Sequence, residues 1–161
     1  MQPKYSELEI ERCWLVDETL LPELDSLPMQ LITDKYLDNS RLRLRKVEYR
    51  GELQYKLCKK YGKTSKISEP ITNLYLSREE YHALAHIPGQ ELIRERYSYS
   101  CQGVDFSINV VVGKKAPVIV EAEFESEADA YECEPPPFCI QEVSSDSSYE
   151  AVRFVAYRTE N

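Results

Sequence analysis

Glycine is scarce in this chain, five residues in 161, and neither a low-complexity tract nor a repeat of fixed period is present. A repeat array is thereby excluded. No apolar run approaches the roughly 20 residues that a membrane helix needs. The opening Met1-Gln2-Pro3-Lys4-Tyr5-Ser6-Glu7 carries no apolar stretch of signal type, so a cytoplasmic location is expected. Excess positive charge is missing as well. Lys and Arg number 20 against 28 Asp and Glu, a formal charge of −8. That balance argues against a nucleic-acid duplex or an anionic membrane as partner. The five cysteines (Cys13, Cys58, Cys101, Cys133, Cys139) include no CxxC pair, which leaves neither a zinc ribbon nor a thioredoxin motif. Free thiols in a reducing compartment are expected. Only two histidines occur, His82 and His86, four apart on an expected helix. Ala83 stands where a metalloprotease motif needs glutamate. With no third His or Cys nearby, they read as surface residues.

The chain does have alternation. A length of 161 residues, 42% hydrophobic and 30% charged, fits one domain over 1–161. Period-two segments run over 6–16, 41–49, 52–60, 71–76, 92–99, 106–112, 117–125 and 138–144, which predicts about eight strands, most of them joined by connections short enough for antiparallel pairing. Helices are fewer. The stretch 17–27 has acids early and a proline inside, so a short or broken helix is expected. Ser77 and Glu80 form a capping box ahead of Tyr81 and Leu84. Ser126 with Asp129, and Ser147 with Glu150, open two further short helices. Pro135-Pro136-Pro137 is a stiff connector. The fold class is α+β, built on a large antiparallel sheet.

In several of these strands the polar positions are charged and carry mainly one sign. Glu7, Glu9 and Glu11 share a face opposite Leu8, Ile10 and Trp14. Arg41, Arg43 and Arg45 share a face opposite Leu42 and Leu44. Lys56, Cys58 and Lys60 line up, as do Arg94 and Arg96. Glu121, Glu123 and Glu125 lie opposite Val118, Val120, Ala122 and Phe124. A single charged face is ordinarily a solvated one, but solvated faces interleave both signs to form cross-strand pairs. If the sheet closes, these faces line a cavity with an acidic and a basic wall. Packed carboxylates call for a cation, and oxygen donors select Mg²⁺ or Mn²⁺. Arginine grips phosphate through paired donors, lysine as a point charge. A polyphosphate carrying a divalent metal would satisfy both walls.

These segments resemble the CYTH superfamily, the triphosphate tunnel metalloenzymes, which include class IV adenylate cyclases, thiamine triphosphatases and inorganic triphosphatases. Glu9-Ile10-Glu11-Arg12-Cys13-Trp14-Leu15-Val16 is similar to its opening E-x-E-x-K signature. Leu42-Arg43-Leu44-Arg45, Leu57-Cys58-Lys59-Lys60, Ile93-Arg94-Glu95-Arg96-Tyr97 and Val120-Glu121-Ala122-Glu123-Phe124 follow in the superfamily's order. Glu142-Val143-Ser144, with Asp146 and Tyr149, resembles its late segment. The resemblance implies an eight-stranded antiparallel β-barrel, open as a tunnel, with flanking helices. It implies that Glu9, Glu11, Glu121 and Glu123 hold Mg²⁺ or Mn²⁺, and that Arg43, Arg45, Lys60, Arg94 and Arg96 hold a triphosphate-bearing small molecule or polyphosphate. A homodimer is left open.

Two departures from the pattern bear on catalysis. The signature lysine is Cys13 here, and no flanking cation replaces it except Arg12, which points to the other face. An aspartate of the superfamily is Asn109, with Asp105 the candidate to compensate through its matching parity. Cys58, at the usual threonine, faces inward and is expected to be a reduced thiol. Three functions are implied in order: metal-dependent hydrolysis of an inorganic, nucleoside or thiamine triphosphate tail, with Glu9, Glu11 and position 13 catalytic; a catalytically weak triphosphate or polyphosphate binder; and a class IV adenylate cyclase.

Overall fold

The computed structural model describes residues 2–156. Nine strands carry the fold: β1 (Glu7–Val16), β2 (Met29–Leu37), β3 (Leu42–Tyr49), β4 (Glu52–Lys60), β5 (Ser68–Leu76), β6 (Gly89–Cys101), β7 (Val104–Val111), β8 (Ile119–Phe124) and β9 (Cys139–Glu142). Helix α1 (Arg78–Leu84) follows β5 and α2 (Glu127–Glu132) follows β8. The strands run antiparallel in the order β5-β4-β3-β2-β6-β7-β8-β1, and β1 pairs again with β5. Eight strands therefore close into a barrel, and β9 is a short addition on β1 outside the ring. This is the α+β antiparallel barrel expected from the sequence.

The membership of the ring differs by one strand. The sequence reading counts 138–144 as the eighth strand and leaves 28–40 unassigned. The eighth member is β2, seated between β3 and β6, while the 138–144 region supplies only the short β9 ladder. The pattern explains the miss. In β2 one face carries Gln30, Ile32, Asp34 and Tyr36 and the other Met29, Leu31, Thr33, Lys35 and Leu37. Both faces mix polar and apolar residues, so no stripe marks the alternation.

Helix signals hold where capping is strong. The Ser77 hydroxyl accepts the Glu80 amide and the Glu80 carboxylate accepts the Ser77 amide, and α1 starts there. The Ser126 hydroxyl likewise accepts the Asp129 amide at the start of α2. The 17–27 stretch forms two single 3-10 turns, Glu18–Leu20 and Leu24–Ser26, on either side of Pro22. The segment opened by Ser147 is also 3-10, Ser147–Tyr149 and then Ala151–Ala156.

The main hydrophobic core lies outside the barrel wall. The outward residues Trp14, Tyr97, Phe106, Ile108, Val120 and Ala122 pack with Phe138, and Leu21, Leu24 and Leu27 cover them. Arg12 also points outward, as its parity requires. Its Nε and Nη2 donate to the Glu142 carboxylate at 2.9 and 3.0 Å, and its Nη1 donates to the carbonyls of Ala130 and Cys133. The guanidinium lies 4.8 Å from the Trp14 ring centroid. Arg12→Ala strands a carboxylate and two carbonyls at once. It is expected to lower the unfolding free energy by about 2–4 kcal/mol, measured by chemical denaturation. A wild-type midpoint would remove this role.

Candidate functional site

Inward-facing residues of the ring line a cavity of about 510 Å³. All ten residues singled out from the sequence line it: Glu9, Glu11 and Cys13 from β1, Arg43 and Arg45 from β3, Lys60 from β4, Arg94 and Arg96 from β6, and Glu121 and Glu123 from β8. Strand register explains the acidic side. Glu11 pairs directly with Glu123 across β1 and β8, and Cys13 pairs with Glu121. Like charges placed opposite one another destabilise a ladder, so this register carries a cost that folding alone does not explain.

Oxygen atoms of Glu9, Glu11 and Glu123 lie within 4.8 Å of one another, and Glu11, Cys13 and Glu121 form a second such group. Glu11 belongs to both. Glu9 accepts from Lys60 Nζ at 2.7 Å and Glu121 from Arg96 Nη2 at 2.6 Å. Glu11 accepts from the Cys13 thiol at 3.3 Å. Burial, then the charges of Glu121 and Glu9, push the Glu11 carboxyl up to about 8. Burial and Glu9 also raise Glu123. Burial opposes ionisation of Glu121, but Arg96 and Arg94 hold it below the usual range. Burial and then Glu11 hold the Cys13 thiol well above its usual value. Clustered carboxylate oxygens short of countercharge are a donor set that fits a divalent cation.

The proton on Glu11 sets a pH dependence. The unfolded chain releases it near 4.5 and the folded protein near 8, so the folded state binds more protons in between. Stability from this group is fully present below the lower value and is lost as pH rises to the upper one. With chelator present, the melting temperature is expected to fall across that window. Glu11→Gln, neutral throughout, is expected to flatten the fall. An unchanged slope in that variant would break the link to Glu11.

The basic wall is organised around Asp34, a residue absent from the sequence-based candidates. Asp34 sits on β2 and is 0% exposed. Arg45 forks onto it, Nε to Oδ1 at 2.6 Å and Nη2 to Oδ2 at 2.8 Å. Arg94 Nη2 donates to Oδ2 at 2.9 Å, and Arg43 Nε stands 3.7 Å from Oδ1. Burial disfavours the Asp34 charge, yet these arginines hold its carboxyl far below the usual carboxylate range. The only sequence signal for Asp34 was a charge at inward parity in a strand that had not been recognised.

Further residues join the cavity from β5, β7 and the loops. Glu69 lines it and accepts from the Gly62 amide. The Ser144 hydroxyl accepts from the Cys13 amide at 2.9 Å. Lys63 lines the cavity too, its Nζ donating to the Ser144 carbonyl at 2.5 Å. A cation thus lies near Cys13 that reading the flanking sequence does not find, because the β4–β5 loop brings it there. Asn109 accepts from Arg96 Nε at 2.9 Å and so orients that guanidinium. Asp105 does not compensate for Asn109. It is exposed and accepts from the Ser100 hydroxyl, at the end of β7 away from the cavity lining. Matching parity sets the side of a strand but not the depth along it. Phe154, 2% exposed, packs against Leu92 and Ile119, and all three line a single cluster with Cys13 and Tyr36.

Eight antiparallel strands closed on a cavity with charge turned inward form the kind of barrel that the sequence resemblance implied. No family model and no curated protein matches the chain. Solved structures do. The inorganic triphosphatase NE1496 is 24% identical, covering 92% of this chain and 95% of that one, with a TM-score of 0.59. The PH1819 protein of Pyrococcus horikoshii is 14% identical, covering 94% and 92%, with a TM-score of 0.56. A Bacillus halodurans protein described provisionally as an adenylate cyclase is 18% identical, covering 79% and 86%, with a TM-score of 0.54. At these identities the likeness is one of fold. Among the described residues no helix is long and apolar enough to cross a membrane.

Proposed function

We propose that this protein hydrolyses a triphosphate tail (inorganic, nucleoside or thiamine triphosphate) inside the barrel, as a single domain over 1–161, with Mg²⁺ or Mn²⁺ held by Glu9, Glu11, Glu121 and Glu123. The observation that carries the reading is one cavity with an acid cluster on one wall and a three-arginine cluster on the other. The neighbour named an inorganic triphosphatase supports it. Arg43, Arg45 and Arg94 offer guanidinium forks to phosphate oxygens, which fix orientation as well as charge. Lys60 and Arg96, each tied to an acid, stand between the two walls. From there they stabilise charge developing on the bridging oxygen of the leaving group. When bound, a divalent cation neutralises terminal phosphate charge and supplies an acidified water for in-line attack.

One observation favours a second reading, a triphosphate or polyphosphate binder with weak turnover. Position 13 is a neutral thiol spent on Glu11, where the superfamily resemblance calls for a lysine. A panel of tripolyphosphate, ATP and thiamine triphosphate with Mg²⁺ or Mn²⁺, assayed separately for phosphate and pyrophosphate, separates the readings. Free phosphate supports hydrolysis. Tight binding without turnover supports the binder. Pyrophosphate with a cyclic nucleotide would make the protein a cyclase.

A further inference from the structure

The geometry points to Asp34 as the positioning residue of an anion clamp: it holds Arg45 by a fork and Arg94 by a single hydrogen bond, with Arg43 drawn alongside at 3.7 Å, ready for phosphate oxygens before any anion enters. The inference rests on the basic wall being where phosphate binds.

Asp34 lies between the strands that supply the arginines. It pairs with Arg45 on β3, and its neighbours Tyr36 and Ile32 pair with Arg43 on β3 and Arg94 on β6. One carboxylate therefore faces three guanidiniums from two flanking strands. Arg45 takes both of its oxygens and Arg94 adds a second donor to Oδ2. Three positive charges against one negative leave an excess of two, in a place where Asp34 is fully buried and Arg94 is 5% exposed. The Nε atoms of Arg43 and Arg94 are buried without a hydrogen-bond partner among the described residues. Buried charge this unbalanced is costly, and a fold seeking only stability would supply more acids or fewer arginines. Excess charge with donors left over fits an anion carrying at least two negative charges. Asp34 ties down side chains that would otherwise lose rotamer freedom on binding, so the anion meets a pre-ordered surface.

A purely neutralising role for Asp34 gives the opposite sign in one experiment. Asp34→Asn removes a negative charge beside the anion. If Asp34 only offset repulsion, the folded variant would bind anions more tightly. If Asp34 sets the geometry, binding weakens although the wall becomes more positive, by about tenfold or more for the lost charge-assisted fork. Calorimetric titration of the wild type and Asp34→Asn with tripolyphosphate, and separately with orthophosphate, reads this directly. Unchanged or tighter binding by the variant overturns the clamp. A wild type that binds orthophosphate in an Asp34-dependent way but ignores tripolyphosphate leaves the clamp standing and removes the triphosphate reading. Should Asp34→Asn not fold, Asp34→Glu keeps the charge and shifts the carboxylate by one methylene, and the same tenfold weakening is expected. A measurement on the wild type adds an independent check. The Nε–H resonance of Arg45 in the anion-free protein is expected to be narrow and slow to exchange with water. A broad, rapidly exchanging resonance would show that the fork is not formed beforehand and would overturn the proposal.

Discussion

Cys13→Lys is expected to raise the rate of triphosphate hydrolysis by about ten- to a hundredfold, the worth of one charge-assisted hydrogen bond in the transition state. Position 13 lies directly opposite Glu121 and beside Glu11. The thiol there is half-buried and adds no charge, because burial and Glu11 keep it protonated. A lysine reaches from the same Cα into the cavity and places an ammonium among the acids and the phosphates they would help to hold. Only the part of that interaction that grows in the transition state accelerates chemistry. The rate is therefore expected to rise by more than the affinity does, which steady-state kinetics and calorimetry together resolve. Lys63 gives an internal comparison. It lines the cavity near Cys13 but donates to the Ser144 carbonyl, so its ammonium is already engaged. A natural protein that is already fast, and that Cys13→Lys slows, would mean that Lys63 and the thiol together form a rebuilt site.

Glu11→Gln is expected to reduce metal-supported hydrolysis by about a thousandfold, since several kcal/mol of charge stabilisation depend on the cation and its water. Glu11 is the residue common to both candidate donor groups, one of three carboxylates and one of two carboxylates with the Cys13 thiol, so its loss damages either mode of cation binding. The same substitution is expected to stabilise the cation-free protein at about pH 8, where the wild type begins to ionise a buried group among other carboxylates. Opposite signs in activity and stability distinguish a functional carboxylate from a structural one. Turnover and thermal melting with and without Mn²⁺ measure both. A variant that loses stability along with activity would place Glu11 in the scaffold instead.

Both expectations depend on features that were unequally visible in the sequence. Strand alternation is local: successive side chains of an extended chain point to opposite faces. Glu9, Glu11 and Cys13, the Arg43 and Arg45 pair and the Glu121 and Glu123 pair could therefore be assigned to one side of their strands without any structure. The single sign of several strands made a solvated face a poor reading, because an open solvated face gains more from mixing charges, and the superfamily resemblance then implied closure around a cavity. The Ser77 capping box was legible for the same reason, as all its partners lie within one helical turn.

Three things were decided by tertiary structure. The first is β2, whose mixed faces carry no stripe, and which becomes a strand because β3 and β6 on either side offer it ladders. The second is Asp34, which has no meaning until register places Arg45 opposite it and Arg94 one step away on the next strand. The third is the division of labour among the acids. Parity makes Glu9, Glu11, Glu121 and Glu123 equivalent, but barrel closure gives Lys60 to Glu9 and Arg96 to Glu121 and leaves Glu11 with a thiol. The sequence alone determined which way each side chain faces, because that follows from backbone geometry within a strand. Which charges meet was left to the fold, because partners 11 to 60 positions apart along the chain are set by register and closure, such as Arg45 with Asp34 and Arg94 with Asp34.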